Sequence, residues 1–256
     1  MKGRRPLQNR QVHPDHEDEP VPPLRAVLTK PVVLSVANFV WLAFVDIAFR
    51  ALQPLFFATP IHLGGLGISP APIGLCLGVF GLLDGAVQGL LFPKVLRRVG
   101  LKKLFITGLA SFIPMFAMFP IVNHFAREWG LSPAVWALVA FQLMINCVTD
   151  MCFGRFSLPD ASTVTHRLRH VNPGCAFLYI TASVKNPRAL GSVHGIGQTA
   201  ASLGRALGPA MATSLFAYTL QSGLLGGLGV YVILIAMTLC GLPLAYKLPE
   251  KVWEHK

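Results

Sequence analysis

Six stretches of the chain, at 32–58, 72–93, 103–122, 133–153, 193–219 and 223–246, meet or nearly meet the length of about 20 mostly apolar residues that a helix needs to cross a bilayer. A chain so divided is expected to be an all-α membrane protein of six transmembrane helices. The composition agrees: 53% of the residues are hydrophobic and 13% charged, well outside the range of ordinary soluble domains. The remaining charge is gathered in short connectors and the two tails, which argues for several spans and against one apolar core.

Lysine and arginine near span ends set orientation. They cluster before the first span (Arg25, Lys30), in KVLRRVGLKK after the second, in VKNPRALG before the fifth and in the tail KLPEKVWEHK. With six spans, all four clusters fall on one side. The opposite connectors, HLGGLGISPAP, NHFAREWGLSP and QSGLLGG, hold Arg127 as their one basic residue. Both termini are therefore expected in the cytoplasm, with residues 1–27 as a disordered segment, 28–248 as the membrane domain and 249–256 as a short tail. The net charge of +11 reads as membrane orientation, because the basic residues flank apolar spans without the aromatic interleaving of a nucleic-acid surface. The expected partners are the lipid bilayer and no nucleic acid.

One segment breaks the alternation. After the fourth span come about twenty polar residues, RFSLPDASTVTHRLRHVNPG at 155–174, and then CAFLYITAS at 175–183, too short to span alone. If 155–174 is skipped, INCVTDMCFG and CAFLYITAS join into one helix-like run. Two readings stay open: a segment foreign to the fold, such as a retained intron, or a natural cytoplasmic loop whose CAFLYITAS lies at the interface or packs back on the bundle.

Several polar side chains lie at span depth. Asp46 and Arg50 sit four apart in the first span, close enough on a helix to pair. An ionisable residue inside a span costs roughly 2.5 to 3.5 kcal/mol on insertion scales and by default marks a cavity or ion pathway. The alternative is a structural pair that fixes helix register. Asn38 and Gln53 accompany them, Asp84 and Gln88 share a face of the second span, Gln142, Asn146 and Asp150 a face of the fourth, and Gln198 and Arg205 lie in the fifth. Singly, each could be an interhelical hydrogen bond; together they suit a bundle around an aqueous path. Gly78, Gly81, Gly85 and Gly89 in the second span are expected to permit close helix contact.

Enzyme chemistry finds no foothold. GxSxG, HExxH, the Walker A loop and a strand-to-helix GxGxxG are all missing from the sequence. His166 and His170 in HRLRH have no acidic or cysteine neighbour to complete a metal site. His13 and His16 beside Glu17, Asp18 and Glu19 read as a solvated acidic patch. Cys76, Cys147, Cys152, Cys175 and Cys240 form no CxxC pair and read as small packing residues. No cofactor and no metal is expected.

Three places carry a family resemblance. RRVGLKK, at 97–103, is similar to the basic end of the short cytoplasmic loop between the second and third helices of each half of a major facilitator superfamily transporter. The family usually has an acidic residue before the Arg-x-Gly, where this chain has Arg97. Residues 180–217, ITASVKNPRALGSVHGIGQTAASLGRALGPAMATSLFA, resemble the tenth-to-eleventh helix region, and the first span with Asp46 and Arg50 is placed as the seventh helix would be. Residues 28–248 without the insert thus resemble the C-terminal six-helix half of such a transporter, of the fungal drug:proton antiporter type.

The resemblance implies small-molecule transport by alternating access with proton coupling. It implies pathway residues among Asp46, Arg50, Gln53, Asp84, Gln142, Asn146, Asp150 and Arg205, and a cytoplasmic gating loop of Arg97, Arg98, Gly100, Lys102 and Lys103. Such a half would work by pairing with a second six-helix half or with its own copy. The competing expectation is a truncated or misassembled gene product that transports nothing.

Overall fold

The computed structural model describes residues 27–153, 174–184 and 187–250. Residues 1–26 of the expected disordered segment and almost all of the polar insert therefore lie outside the described residues, while Val27, expected in that segment, is buried against the bundle. Among the described residues there is no strand. Eight α-helices follow in order: α1 (Lys30–Ala58), α2 (Pro70–Val99), α3 (Leu101–Ala110), α4 (Phe112–Trp129), α5 (Pro133–Phe153), α6 (Cys175–Ser183), α7 (Leu190–Ser222) and α8 (Gly229–Tyr246). α3 and α4 form one span of 29 residues with a turn at Ser111. Among the described residues five spans are long and apolar enough to cross a membrane: α1, α2, α3 with α4, α5 and α8.

α7 differs from the other spans. Its 33 residues give ample length, but Ser192, His194, Gln198, Thr199, Ser202 and Arg205 dilute its apolar content. Packing explains why it can afford this composition, because α7 lies along α1 in the most extensive helix pairing of the fold. Val193, Gly197, Ala201, Gly204, Gly208 and Ala212 are buried in that seam, a row of mostly small residues that lets two backbones approach. At Gly208 the approach is closest, since a Cβ there would stand 2.3 Å from Ile47 Cγ2 and 3.3 Å from the Phe44 carbonyl oxygen. Gly241 on α8 meets Trp41 of α1 in the same way, at 2.2 Å from Nε1. Two of the α2 glycines behave otherwise than expected: a Cβ at Gly78 or Gly81 would meet nothing within 4 Å. α2 is the least buried of the apolar spans, so these glycines face no helix in this chain.

Aromatic rings fill the centre. Phe49 and Phe56 of α1 stack around Phe119 of α4 at centroid distances of 5.6 and 4.8 Å, and Tyr231 of α8 closes on Phe119 at 5.4 Å. These four rings tie three helices together, and all are nearly or fully buried. Asn38 adds a polar tie, donating to the Leu34 carbonyl at 2.9 Å and, across to α8, to Leu244 at 3.2 Å.

The connector after α1 folds back onto that helix. Leu66 and Ile68 donate backbone hydrogen bonds to the Phe56 and Phe57 carbonyls at 3.1 and 2.8 Å, which satisfies acceptors that a helix C-terminus would leave open. Asn123 of α4 clamps the same connector, its amide donating to Ile61 at 3.0 Å and Gly65 at 2.8 Å. Asn123→Ala removes both donors at once and is expected to cost about 1 to 3 kcal/mol. Hydrogen exchange should rise first at residues 64–68, and unchanged protection there would show that the backbone bonds suffice alone.

The short helix α6 packs against α1, α3, α5 and α7. Cys175, Ala176, Tyr179 and Ile180 are its buried face. Phe177 lies 5.3 Å from the Phe39 ring and stacks on His194 at 5.6 Å, while Thr181 Oγ1 and His194 Nε2 share a hydrogen bond of 3.0 Å. CAFLYITAS is thus a bundle element, held by α1 and α7.

Candidate functional site

The charged residues of α1 come together with those of α2 and α5. Asp46, Arg50 and Gln53 follow one another at helical spacing on α1. The Arg50 Nε–H donates to Asp46 Oδ1 at 2.8 Å, and its terminal nitrogen Nη2 donates to Asp150 Oδ1 on α5. Both carboxylates are almost completely enclosed, whereas the Arg50 side chain keeps a quarter of its surface exposed. One guanidinium therefore serves two buried acids, its fork of five donors suited to bridging them. The spacing of residues 46 and 50 foretells their pairing; the partnership with Asp150, one hundred residues away, has no local signature.

Beside this bridge a cavity of about 360 Å³ opens between α1, α2 and α5. Arg50, Gln53, Asp84, Gln88 and Asp150 line it, with Leu77, Phe80, Gly81 and Gly85 supplying the apolar part of the wall. Asp84 accepts a hydrogen bond from Gln88 Nε2 at 2.6 Å through Oδ2. Its other oxygen, Oδ1, is buried without a hydrogen-bond partner, as are Gln88 Oε1 and Gln53 Nε2. The wall thus presents two open acceptors and one open donor.

The remaining candidates lie elsewhere. Gln142 is fully buried and turns toward α4, donating to the Met115 carbonyl at 2.9 Å. Asn146, one helical turn before Asp150, is enclosed with Oδ1 unpartnered. Arg205 sits over the Phe39 ring at 5.7 Å, a cation–π contact in the α1–α7 seam. Neither Gln142, Asn146 nor Arg205 is part of the cavity wall. Asp46 lies beneath Arg50 and is likewise outside the wall.

Arg97 and Arg98 are exposed at the end of α2, and Gly100 separates that helix from α3. Gly100 adopts φ +83° and ψ 157°, a region essentially reserved for glycine. It separates the two helices, so that Lys102 and Lys103 lie in the first turn of α3 and the two arginines in the last turn of α2. Among the described residues no group of three or more His, Cys, Asp or Glu side chains is placed to hold a metal ion.

Comparison with known proteins agrees with this architecture. The chain is 25% identical over 238 residues to the major facilitator superfamily multidrug transporter mfsB of Aspergillus fumigatus, covering 89% of this chain and 34% of that protein. It is 28% identical over 229 residues to the efflux pump azaK of Aspergillus niger, covering 86% and 43%. It is 26% identical over 221 residues to ZINC INDUCED FACILITATOR 1 of Arabidopsis thaliana, covering 85% and 40%. The chain thus spans about two-fifths of the length of the curated relatives it matches. No family model matches it, and no solved structure does.

Proposed function

Starting from a multi-pass membrane chain that resembles major facilitator superfamily transporters over most of its length, we propose that it moves a small organic molecule across the bilayer by alternating access, coupled to protons. It does so as one six-helix half, paired with a second half or a second copy, with α7 as the sixth span and both termini in the cytoplasm. The observation that carries this reading is the Arg50 bridge between Asp46 and Asp150 at the edge of a polar cavity. Charge at span depth is costly unless it is paired or wetted. A single cation shared by two acids can follow either one if helix α5 moves against α1, the kind of two-state element that alternating access requires. The basic residues Arg97, Arg98 and Lys103, all exposed, and the half-buried Lys102 flank the turn between α2 and α3, where they would contact the partner half at the cytoplasmic face.

Proteoliposomes test the reading. With an inside-acidic pH gradient, the chain is expected to accumulate ethidium, to lose that accumulation when nigericin collapses the gradient, and to lose it at least tenfold in Arg50→Gln. Gradient-independent ethidium levels in the wild-type chain would place the protein in the non-transporting class.

The placement of α6 bears on the polar insert. α5 holds 21 residues and α6 nine, together close to the 29 or 30 of α1 and α2. This match supports reading them as the two parts of one span, interrupted at 155–174. Sequencing the natural transcript across the codons for Arg155 to Gly174 decides between an interrupted and a continuous helix.

A further inference from the structure

A second polar cavity lies at the end of the bundle opposite the turn between α2 and α3. The connector after α1, the C-terminal half of α4, the turn between α7 and α8 and the start of α8 enclose about 350 Å³ there. His62, Asn123, His124, Arg127 and Tyr231 are its polar side chains, and no acid lines it. Arg127 donates through Nη2 to the His62 carbonyl at 3.2 Å, and the other N–H donors of its guanidinium have no partner among the described residues. Asn123 uses its amide nitrogen on the connector, so it builds the wall and leaves a guest to the three basic side chains.

The charge around this cavity is of one sign. Asp46, Asp84 and Asp150 are buried within their spans and Glu250 follows the far end of α8. Glu128, next to Arg127 on α4, is exposed, stands outside the wall and forms no ion pair among the described residues. Arg127 is also the one basic residue of the connectors at this end, so it adds nothing to the orientation signal that lysine and arginine give at the other.

We propose that this cavity binds a phosphate group, on a soluble phosphate compound or on a lipid headgroup, held by the Arg127 guanidinium and the His62 and His124 imidazoles. The inference does not depend on transport. A guanidinium matches phosphate oxygens with two parallel N–H donors, and an imidazole supplies one N–H when neutral and two when charged. At Gly226 and Gly227, with φ of +67° and +89°, a Cβ would meet nothing within 4 Å, so this part of the wall leaves room for the guest. Leu220 and the Tyr231 ring supply apolar surface for the carbon part of a phosphate ester. Trp129 is exposed at the end of α4, a residue type enriched at headgroup level, which brings lipid phosphate within reach. A cation would meet Arg127 with no carboxylate to offset it.

Carbethoxylation by diethylpyrocarbonate, followed at each histidine by mass spectrometry, tests the site on the full chain. In dodecyl maltoside micelles, which carry no phosphate, inorganic phosphate at constant ionic strength is expected to slow modification of His62 and His124 together, several-fold and to saturation. His194, stacked on Phe177, should keep its rate and so controls for reagent loss and for folding. A second arm uses phosphatidylcholine nanodiscs with and without phosphatidic acid. Protection by inorganic phosphate in micelles identifies a soluble phosphate as the guest, and protection that appears only with phosphatidic acid identifies the headgroup. Arg127→Gln should abolish the protection in either arm and Arg127→Lys retain part of it, while His124→Gln should weaken the protection of His62 several-fold. No protection in both arms, or undiminished protection in an Arg127→Gln protein whose His194 reacts as in wild type, overturns the proposal. So does protection of the two histidines by zinc chloride and not by phosphate, because the pair would then be a metal site.

Discussion

Arg50→Gln is expected to lower the stability of the chain by about 3 to 5 kcal/mol, the range observed when one partner of a buried ionic group is removed. The size follows from what remains. Asp46 and Asp150 are both almost fully buried, and each loses the guanidinium that faces it. Two carboxyl groups in a low-dielectric interior then lose a shared counter-charge, which favours proton uptake or entry of water. Equilibrium unfolding in mixed detergent micelles measures the loss directly. A triple variant, Arg50→Gln with Asp46→Asn and Asp150→Asn, should recover most of the stability, since replacing a whole buried ionic group by neutral groups of the same shape is often near neutral. It should not recover transport. If Arg50→Gln alone unfolds within 1 kcal/mol of wild type, the two acids are not held as ions by Arg50, and the bridge has no part in switching.

Gly208→Leu is the second change with a large expected effect. The α1–α7 seam leaves no room at this position, with Ile47 Cγ2 at 2.3 Å and the Phe44 carbonyl at 3.3 Å from a Cβ. The carbonyl belongs to the helix backbone and cannot turn aside, so the helices must separate. Overpacking of a closed contact costs about 1 to 3 kcal/mol, and here it would fall on the most extensive helix pair of the fold. Gly81→Ala supplies the contrast. Its Cβ would enter open space, and alanine in place of glycine inside a helix gains roughly 0.5 to 1 kcal/mol. Thermal unfolding followed by gel filtration should therefore show Gly208→Leu melting well below wild type and Gly81→Ala at or above it. The opposite order would mean that α2, and not α7, carries the close helix contact.

That contrast shows where sequence reading reaches its limit. Glycines recur along both α2 (Gly74, Gly78, Gly81, Gly85, Gly89) and α7 (Gly191, Gly195, Gly197, Gly204, Gly208), and the sequence alone does not say which row meets a helix. Only the packing distinguishes them, because contact is a property of two helices and the partner of each row lies far away in sequence. The polar residues follow the same logic. Asp46 with Arg50 and Asp84 with Gln88 were legible as pairs since four residues on a helix bring side chains together. Gln142, Asn146 and Asp150 share a face as the spacing required, yet only Asp150 reaches the cavity wall, while Gln142 turns to the Met115 carbonyl of α4. Helical spacing determines which side chains point the same way; it does not determine what stands opposite.

The sequence by itself determined the class of the protein. Apolar runs of bilayer length leave a helix as the local solution, and the placement of lysine and arginine gives each run an expected direction. Both are effects of the solvent on a single segment, so they can be read one segment at a time. The tertiary structure alone decided that Arg50 joins two acids one hundred residues apart, that α6 is wedged between α1 and α7, and that Asp84 keeps a buried oxygen unpartnered in a cavity wall. These depend on which helices meet and at what depth, which is settled by the mutual packing of the whole bundle.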